Sequence, residues 1–249
     1  MRNIWTLAKK EYKNYFNSPI AYIVGFVILL VLGIFFALNI TYLTLNSYLS
    51  YGAAPDVGVV TGPFAFMLVL STPALTMGLL ADEKRMGTME LLMTAPLRDV
   101  ELVVGKWLGA FLFMLTVMAI TLIFPIMMFF LVYPGIDGGQ VFGAYLGIML
   151  ITSAFLSIGV GISALFSNQL AAFFTTLITF IVLWWIIGFP ANILPAGSDI
   201  FHYLDMQTHF YNSLNVGVIK LTDIIYFLSL TALGLFIGKS AVEMRRLQS

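Results

Sequence analysis

Charge is scarce in this sequence. Only 10% of its 249 residues are Asp, Glu, Lys or Arg, against about a quarter in soluble domains, which excludes an ordinary water-soluble fold. Cysteine is absent, so disulfides, thiolate zinc sites and iron–sulfur clusters are excluded and the redox compartment stays open. With two histidines and neither an HExxH nor a GxSxG pattern, intramembrane hydrolysis has no visible nucleophile–base pair. Gly238-Lys239-Ser240 resembles the end of a phosphate-binding loop. The glycine required five positions before Gly238 is Leu233, however, and the tripeptide ends an apolar run instead of opening a helix after a strand.

What the chain has is apolar length: 60% hydrophobic residues and a mean hydropathy of +0.98. Apolar runs at 20–42, 62–81, 106–132, 140–166, 170–189 and 218–238 are each long enough to cross a bilayer as a helix. Lipid-exposed strands would leave backbone groups unpaired in hydrocarbon, so the expected fold is all-α with six membrane spans. The first run exceeds a signal-peptide core and lacks a small-x-small cleavage site after it, so it reads as a retained span. Only Ser167–Gln169 separates spans four and five, which demands a tight antiparallel turn.

Six spans place Arg2, Lys9, Lys10, Lys13, Lys84, Arg85, Arg98, Lys106, Lys239, Arg245 and Arg246 on one side. By the positive-inside rule that side is cytoplasmic, with both termini and the 239–249 tail. The other side carries Asp56, Asp137, Asp199 and Asp205, with Lys220 the lone exception beside Asp223. Those two are expected to pair or snorkel.

Residues 1–19 read as an interfacial amphipathic helix. Trp5, Ala8, Tyr12 and Tyr15 recur at spacings of three and four, with the rings expected at headgroup level and Lys9, Lys10 and Lys13 elsewhere around the turn. No ionisable residue lies at the centre of a span, where ion-coupled carriers usually place one. An energy source outside the chain is implied. Gly143-x-x-x-Gly147 and the small residues after it permit close helix approach in span four. Pro73 and Pro125 are expected to kink spans two and three. Packing explains most of the small and hydroxylated residues. The other reading is a substrate route lined by Pro73, Thr76, Thr175, Thr176 and Thr179.

The segment 82–105 holds eight of the 24 Asp, Glu, Lys and Arg residues. Met86–Leu92 reads as a short amphipathic helix with Thr88 able to cap its start, ending before Pro96. A second helical piece, Arg98–Gly105, leads into span three. Met86, Met89, Leu91, Leu92 and Met93 are too apolar to face water without a partner.

The pattern Glu83-x-Arg85-x-Gly87-Thr88-x-Glu90-Leu91-Leu92-x-Thr94-x-Pro96-Leu97 resembles the cytoplasmic segment of ABC-2 type transporter permeases. With the six-span layout and the basic amphipathic start, the resemblance covers essentially the whole chain. It looks most like the gliding-motility-associated and copper-processing branch. The resemblance implies an inner-membrane permease of the exporting kind, with no cofactor of its own. A separate cytoplasmic ATPase would bind ATP and Mg, and a second permease chain, identical or related, would complete the path among membrane lipids. Glu83, Arg85, Gly87, Thr88, Glu90, Leu91, Leu92 and Pro96 would form the ATPase-coupling contact. A membrane anchor for a motility or envelope-assembly machine is the alternative.

The resemblance further implies short re-entrant helices at 190–217 closing the outer end. His202, Asp205 and His209 in this region, spaced by three and four, would share one helical face as an outer gate. The same residue types suit zinc or copper, but no fourth ligand is evident, and the gate reading is preferred.

Overall fold

The computed structural model describes residues 2–45, 56–88, 97–131, 135–193 and 198–246. No strand occurs among them. Helix α1 (Arg2–Asn17) stops at Ser18, and Pro19 opens α2 (Pro19–Leu45), a position where a missing N–H costs nothing. Then follow α3 (Gly58–Thr76), α4 (Ala81–Arg85), α5 (Asp99–Thr121), α6 (Ile123–Leu131), α7 (Gly138–Leu165) and α8 (Gln169–Ile181). A π-turn (Val182–Ile186) and a 3₁₀ turn (Phe189–Asn192) lead to α9 (Ser198–Leu204), α10 (Met206–Tyr211), a second 3₁₀ turn (Leu214–Val216) and α11 (Leu221–Arg246). Six helical stretches are long and apolar enough to span: α2, α3–α4, α5–α6, α7, α8 with its π-turn and 3₁₀ extension, and α11.

Helix α7 is the axle of the bundle, buried along most of its length and packed on α3, α5, α8 and, most extensively, α11. Small residues make this possible. A Cβ placed on Gly161 would lie 2.6 Å from the Gly234 carbonyl oxygen, and one on Gly234 would lie 2.5 Å from the Ile158 nitrogen. The two backbones therefore touch, and dispersion between them replaces the hydrophobic drive that lipid cannot supply. Ser153 and Thr231 share a hydrogen bond of 3.0 Å across the same seam.

The proline positions resolve into breaks with identifiable partners. Pro125 has no N–H to offer the Thr121 carbonyl one turn back, and the Tyr145 hydroxyl donates to that oxygen at 2.9 Å instead. The helix breaks there into α5 and α6. Pro73 lies within α3, which continues to Thr76 before a break at 77–80. Ser163 of α7 splints this break: its hydroxyl accepts from the Leu80 and Ala81 amides at 3.1 and 3.2 Å and donates to the Met77 carbonyl.

Between α7 and α8 the turn is as short as expected, with the Asn168 side chain capping α8 at the Leu170 amide. The Gly143/Gly147 pair, by contrast, accommodates no neighbouring span. It receives Leu214, Gly217 and the Phe210 ring from the segment between α8 and α11. That segment is thereby seated on the end of α7.

Candidate functional site

The six spans gather eleven of the twelve Lys/Arg residues at one end of the bundle, called here the basic end. At its centre is Lys106, about two turns into α5. Its ammonium lies 2.7 Å from Glu83 Oε1 of α4 and 3.0 Å from Glu11 Oε1 of α1, and its side chain is 3% exposed. One cation thus joins three separate elements. A buried charge is tolerated only when paired and hydrogen-bonded, and here two carboxylates meet it.

Local sequence explains the arrangement. Gly105 and Gly109 flank Lys106, and α1 lies directly on them: a Cβ on Gly109 would lie 2.5 Å from Glu11 Cβ and 3.0 Å from the Ala8 carbonyl oxygen. Ala8, Glu11 and Tyr15 share the α1 face that is buried. Tyr15 stacks on Phe113 with centroids 5.1 Å apart and donates to the Leu75 carbonyl at 2.9 Å. Burial, with Glu11 nearby, raises its phenol well above the usual tyrosine range, so it remains a donor. The four residues therefore do not form one exposed stripe. Ala8 and Tyr15 pack on protein, Tyr12 bonds to Thr116, and Trp5 alone of the four is exposed.

Beside the triad opens a cavity of about 330 Å³ reached by Asn14, Tyr15, Asp82, Glu83, Lys106 and Gln169. Gln169 bonds Asp82, tying α4 to the start of α8. At the tip of α4, Arg85, Met86 and Gly87 are exposed. Gly87 has φ +70° and open space around it. The left-handed backbone, not crowding within the chain, requires glycine there. Thr88 donates its hydroxyl back to the Glu83 carbonyl at 3.3 Å. Glu90, Leu91, Leu92 and Pro96 lie outside the described residues.

Helix α5 forms the second wall of this end. It starts at Asp99, with the Glu101 carboxylate accepting from the Arg98 amide at 3.1 Å, and runs unbroken into the span. Arg246 at the end of α11 pairs with Asp99 at 3.2 Å.

Of the residues read as a possible substrate route, Pro73, Thr76 and Thr176 are buried between helices of the chain, whereas Thr175 and Thr179 are half-buried on α8. Thr76 sits against Gly159. The hydroxyls of Thr76, Thr176 and Thr179 bond carbonyls one turn back in their own helices.

At the opposite end, His202, Asp205 and His209 do not share a helical face. Asp205 ends α9 and caps α10, accepting from the Gln207 amide and the Thr208 hydroxyl. Its capping geometry breaks the helix that the three-and-four spacing requires. His209 turns inward: Nδ1 lies 2.7 Å from Asp223 Oδ1, Nε2 lies 2.8 Å from the Tyr203 carbonyl oxygen, and Tyr226 stacks on the ring at 4.2 Å. Ser213 bonds the other Asp223 oxygen at 2.5 Å. The expected Lys220–Asp223 pair is thus replaced by His209–Asp223, because Asp223 faces the bundle and is buried. A second cluster joins the same end: Thr61 donates to Asn215 Oδ1 at 2.5 Å, and Gln140 bonds Asp56.

Sequence reasoning passed over Lys106 and Glu11. In the sequence Lys106 reads only as an orienting charge at the mouth of a span. Two signals were available: Gly105-Lys106-x-x-Gly109 is a small-xxx-small pair enclosing a lysine, and Glu11 is the sole acid before Asp56.

Comparison with curated proteins finds no match. The model of the family described as ABC-2 family transporter protein matches residues 5–238, which takes in the triad, the exposed tip of α4, the first five spanning stretches and most of the sixth. The chain belongs to the ABC-2 transporter family and is a membrane permease component of an ABC transporter.

Proposed function

We propose that this permease is the membrane half of an ATP-driven exporter of the inner membrane, worked by a separate cytoplasmic ATPase that binds ATP and Mg. The basic end would face the cytoplasm; the concentration of Lys and Arg there supports this orientation. The coupling contact would be the exposed tip of α4, Arg85 to Gly87, continuing through Thr88, Glu90, Leu91, Leu92 and Pro96. Glu83 acts on the inside of that contact through Lys106.

The observation that carries the reading is the Lys106 triad. Any displacement of α4 by a docked ATPase would be passed to α5 and α1 together, because one buried cation holds both carboxylates. Gln169 would carry the same motion toward α8 through Asp82. Two permease chains would enclose the path between their α3 and α8 faces, with Thr175 and Thr179 at the surface of α8. The absence of charge at the centre of the spans supports an energy source in the partner.

The test is co-purification with the ATPase and measurement of substrate-stimulated hydrolysis in nanodiscs. Glu90→Arg with Gly87→Trp is expected to abolish assembly or coupling. Unchanged assembly and coupled hydrolysis would overturn the contact.

A further inference from the structure

We propose that the groove between α1 and α5 is a binding site for one anionic phospholipid, with its headgroup at Lys9 and an acyl chain along α5. The groove has a volume of about 460 Å³. Trp5, Lys9 and Tyr12 line it from α1; Leu112, Leu115, Thr116 and Ala119 line it from α5. Its floor is apolar, and its sole formal charge is a lysine.

The level of the site in the bilayer follows from the helix itself. Leu112, Leu115 and Ala119 recur at spacings of three and four along α5, and Ile123, Ile126 and Phe130 do so along α6, which continues the same spanning stretch. These residues are half-buried at Leu112 and Leu115 and exposed at Ala119, Ile123, Ile126 and Phe130. Eighteen residues at 1.5 Å each cover about 27 Å, close to the thickness of the hydrocarbon core. With Phe130 at one boundary, Leu112 reaches the other. Trp5, Lys9 and Tyr12 then stand at headgroup level, while Lys106 lies about 9 Å further out. The groove is thus the end of a lipid-facing surface, and what lies in it is continuous with the bilayer.

Charge selects the lipid. Arg2, Lys9, Lys10 and Lys13 are exposed on α1. The helix's single acid, Glu11, is turned away and satisfied by Lys106. Lys9 has no ion pair among the described residues. A cation at the rim, an indole beside it and an apolar trough beneath match a lipid with an anionic phosphate and an extended tail. A zwitterionic lipid offers the same tail but a compensated headgroup. Bound there, the lipid would bridge α1 to α5 on the side opposite the triad, making the position of α1 responsive to membrane composition.

The experiment uses the full chain in nanodiscs with mid-chain photoreactive phosphatidylglycerol or phosphatidylcholine, and crosslinks mapped by mass spectrometry. Labelling at Leu112, Leu115 and Ala119 should favour phosphatidylglycerol by roughly fivefold, the factor for one lysine near an anionic headgroup. Lys9→Glu should abolish that preference, Lys13→Glu should retain it, and labelling at Ile126 and Phe130 should be indifferent to headgroup in all three proteins. Equal labelling by both lipids, or equal effects of the two substitutions, would overturn the site. So would protection of these positions by the ATPase or by a second copy at high protein-to-lipid ratio, which would assign the groove to that protein. None of these readouts depends on ATP hydrolysis, so failure here leaves the transport reading untouched.

Discussion

Lys106 and Glu83, 23 positions apart in the sequence, meet at 2.7 Å with the lysine side chain 3% exposed. Between them lies the whole segment that resembles the ATPase-facing part of ABC-2 permeases. The ion pair therefore closes that segment at its base, and Glu11 at 3.0 Å fastens α1 to the same point.

Removing the cation should be far worse than removing the whole cluster. Lys106→Met leaves the buried Glu11 carboxylate and the half-buried Glu83 carboxylate without their cation. Breaking a buried pair in this way costs about 3–5 kcal/mol. Lys106→Met combined with Glu11→Gln and Glu83→Gln should recover most of the loss. Thermal unfolding in detergent checks both, and a triple variant no more stable than the single one would contradict the argument.

Gly109 tests whether α1 is held by packing as well as by charge. Gly109→Val drives a branched side chain into Glu11 Cβ and the Ala8 carbonyl. Overpacking of this kind costs about 1–3 kcal/mol, and the strain is relieved by lifting α1. Limited proteolysis should cut within residues 2–17 of the variant and spare the parent, with the rest of the bundle intact.

Gly87 separates backbone conformation from crowding. Gly87→Ala meets open space but must adopt φ +70°, at a cost of about 1–2 kcal/mol for a residue with a Cβ. Gly87→Asn should be milder, since asparagine tolerates that region. The global unfolding temperature should barely move, because the residue lies at the exposed tip beyond α4. Coupled ATPase activity should fall in the order Gly, Asn, Ala.

At the other end, Asp223→Asn leaves the shape but weakens two hydrogen bonds to a charged acceptor, from His209 and Ser213. Each is worth about 1.5–3 kcal/mol. The natural absence of cysteine makes the check direct. A cysteine introduced at the exposed Tyr203 should react alike with an impermeant thiol reagent in both backgrounds, whereas one at the buried Phe210 should become reactive only with Asp223→Asn.

Much of the fold was legible because the bilayer imposes it. Backbone groups in hydrocarbon must pair within their own segment, so each long apolar run had one solution, and the short turn after Phe166 set its neighbours antiparallel. Local signals of the same strength told of the glycine seams and of a break near Pro125. The outer histidines were misread for a physical reason: a three-and-four spacing implies one face only if the helix continues, and Asp205 ends it. Lys220 and Asp223 are close in sequence, but the partner of a buried carboxylate is decided by what faces it across the interior.

Composition and hydropathy alone thus determined a six-span, all-α membrane protein with its positive charge at one end, since these follow from solvation, which each residue carries with it. The tertiary structure decided which charge is buried, that Gly105 and Gly109 admit α1, and that Gly143 and Gly147 of α7 receive the Phe210–Gly217 segment instead of another span. Those outcomes depend on contacts between residues tens of positions apart, and no local pattern encodes which of several possible partners will arrive.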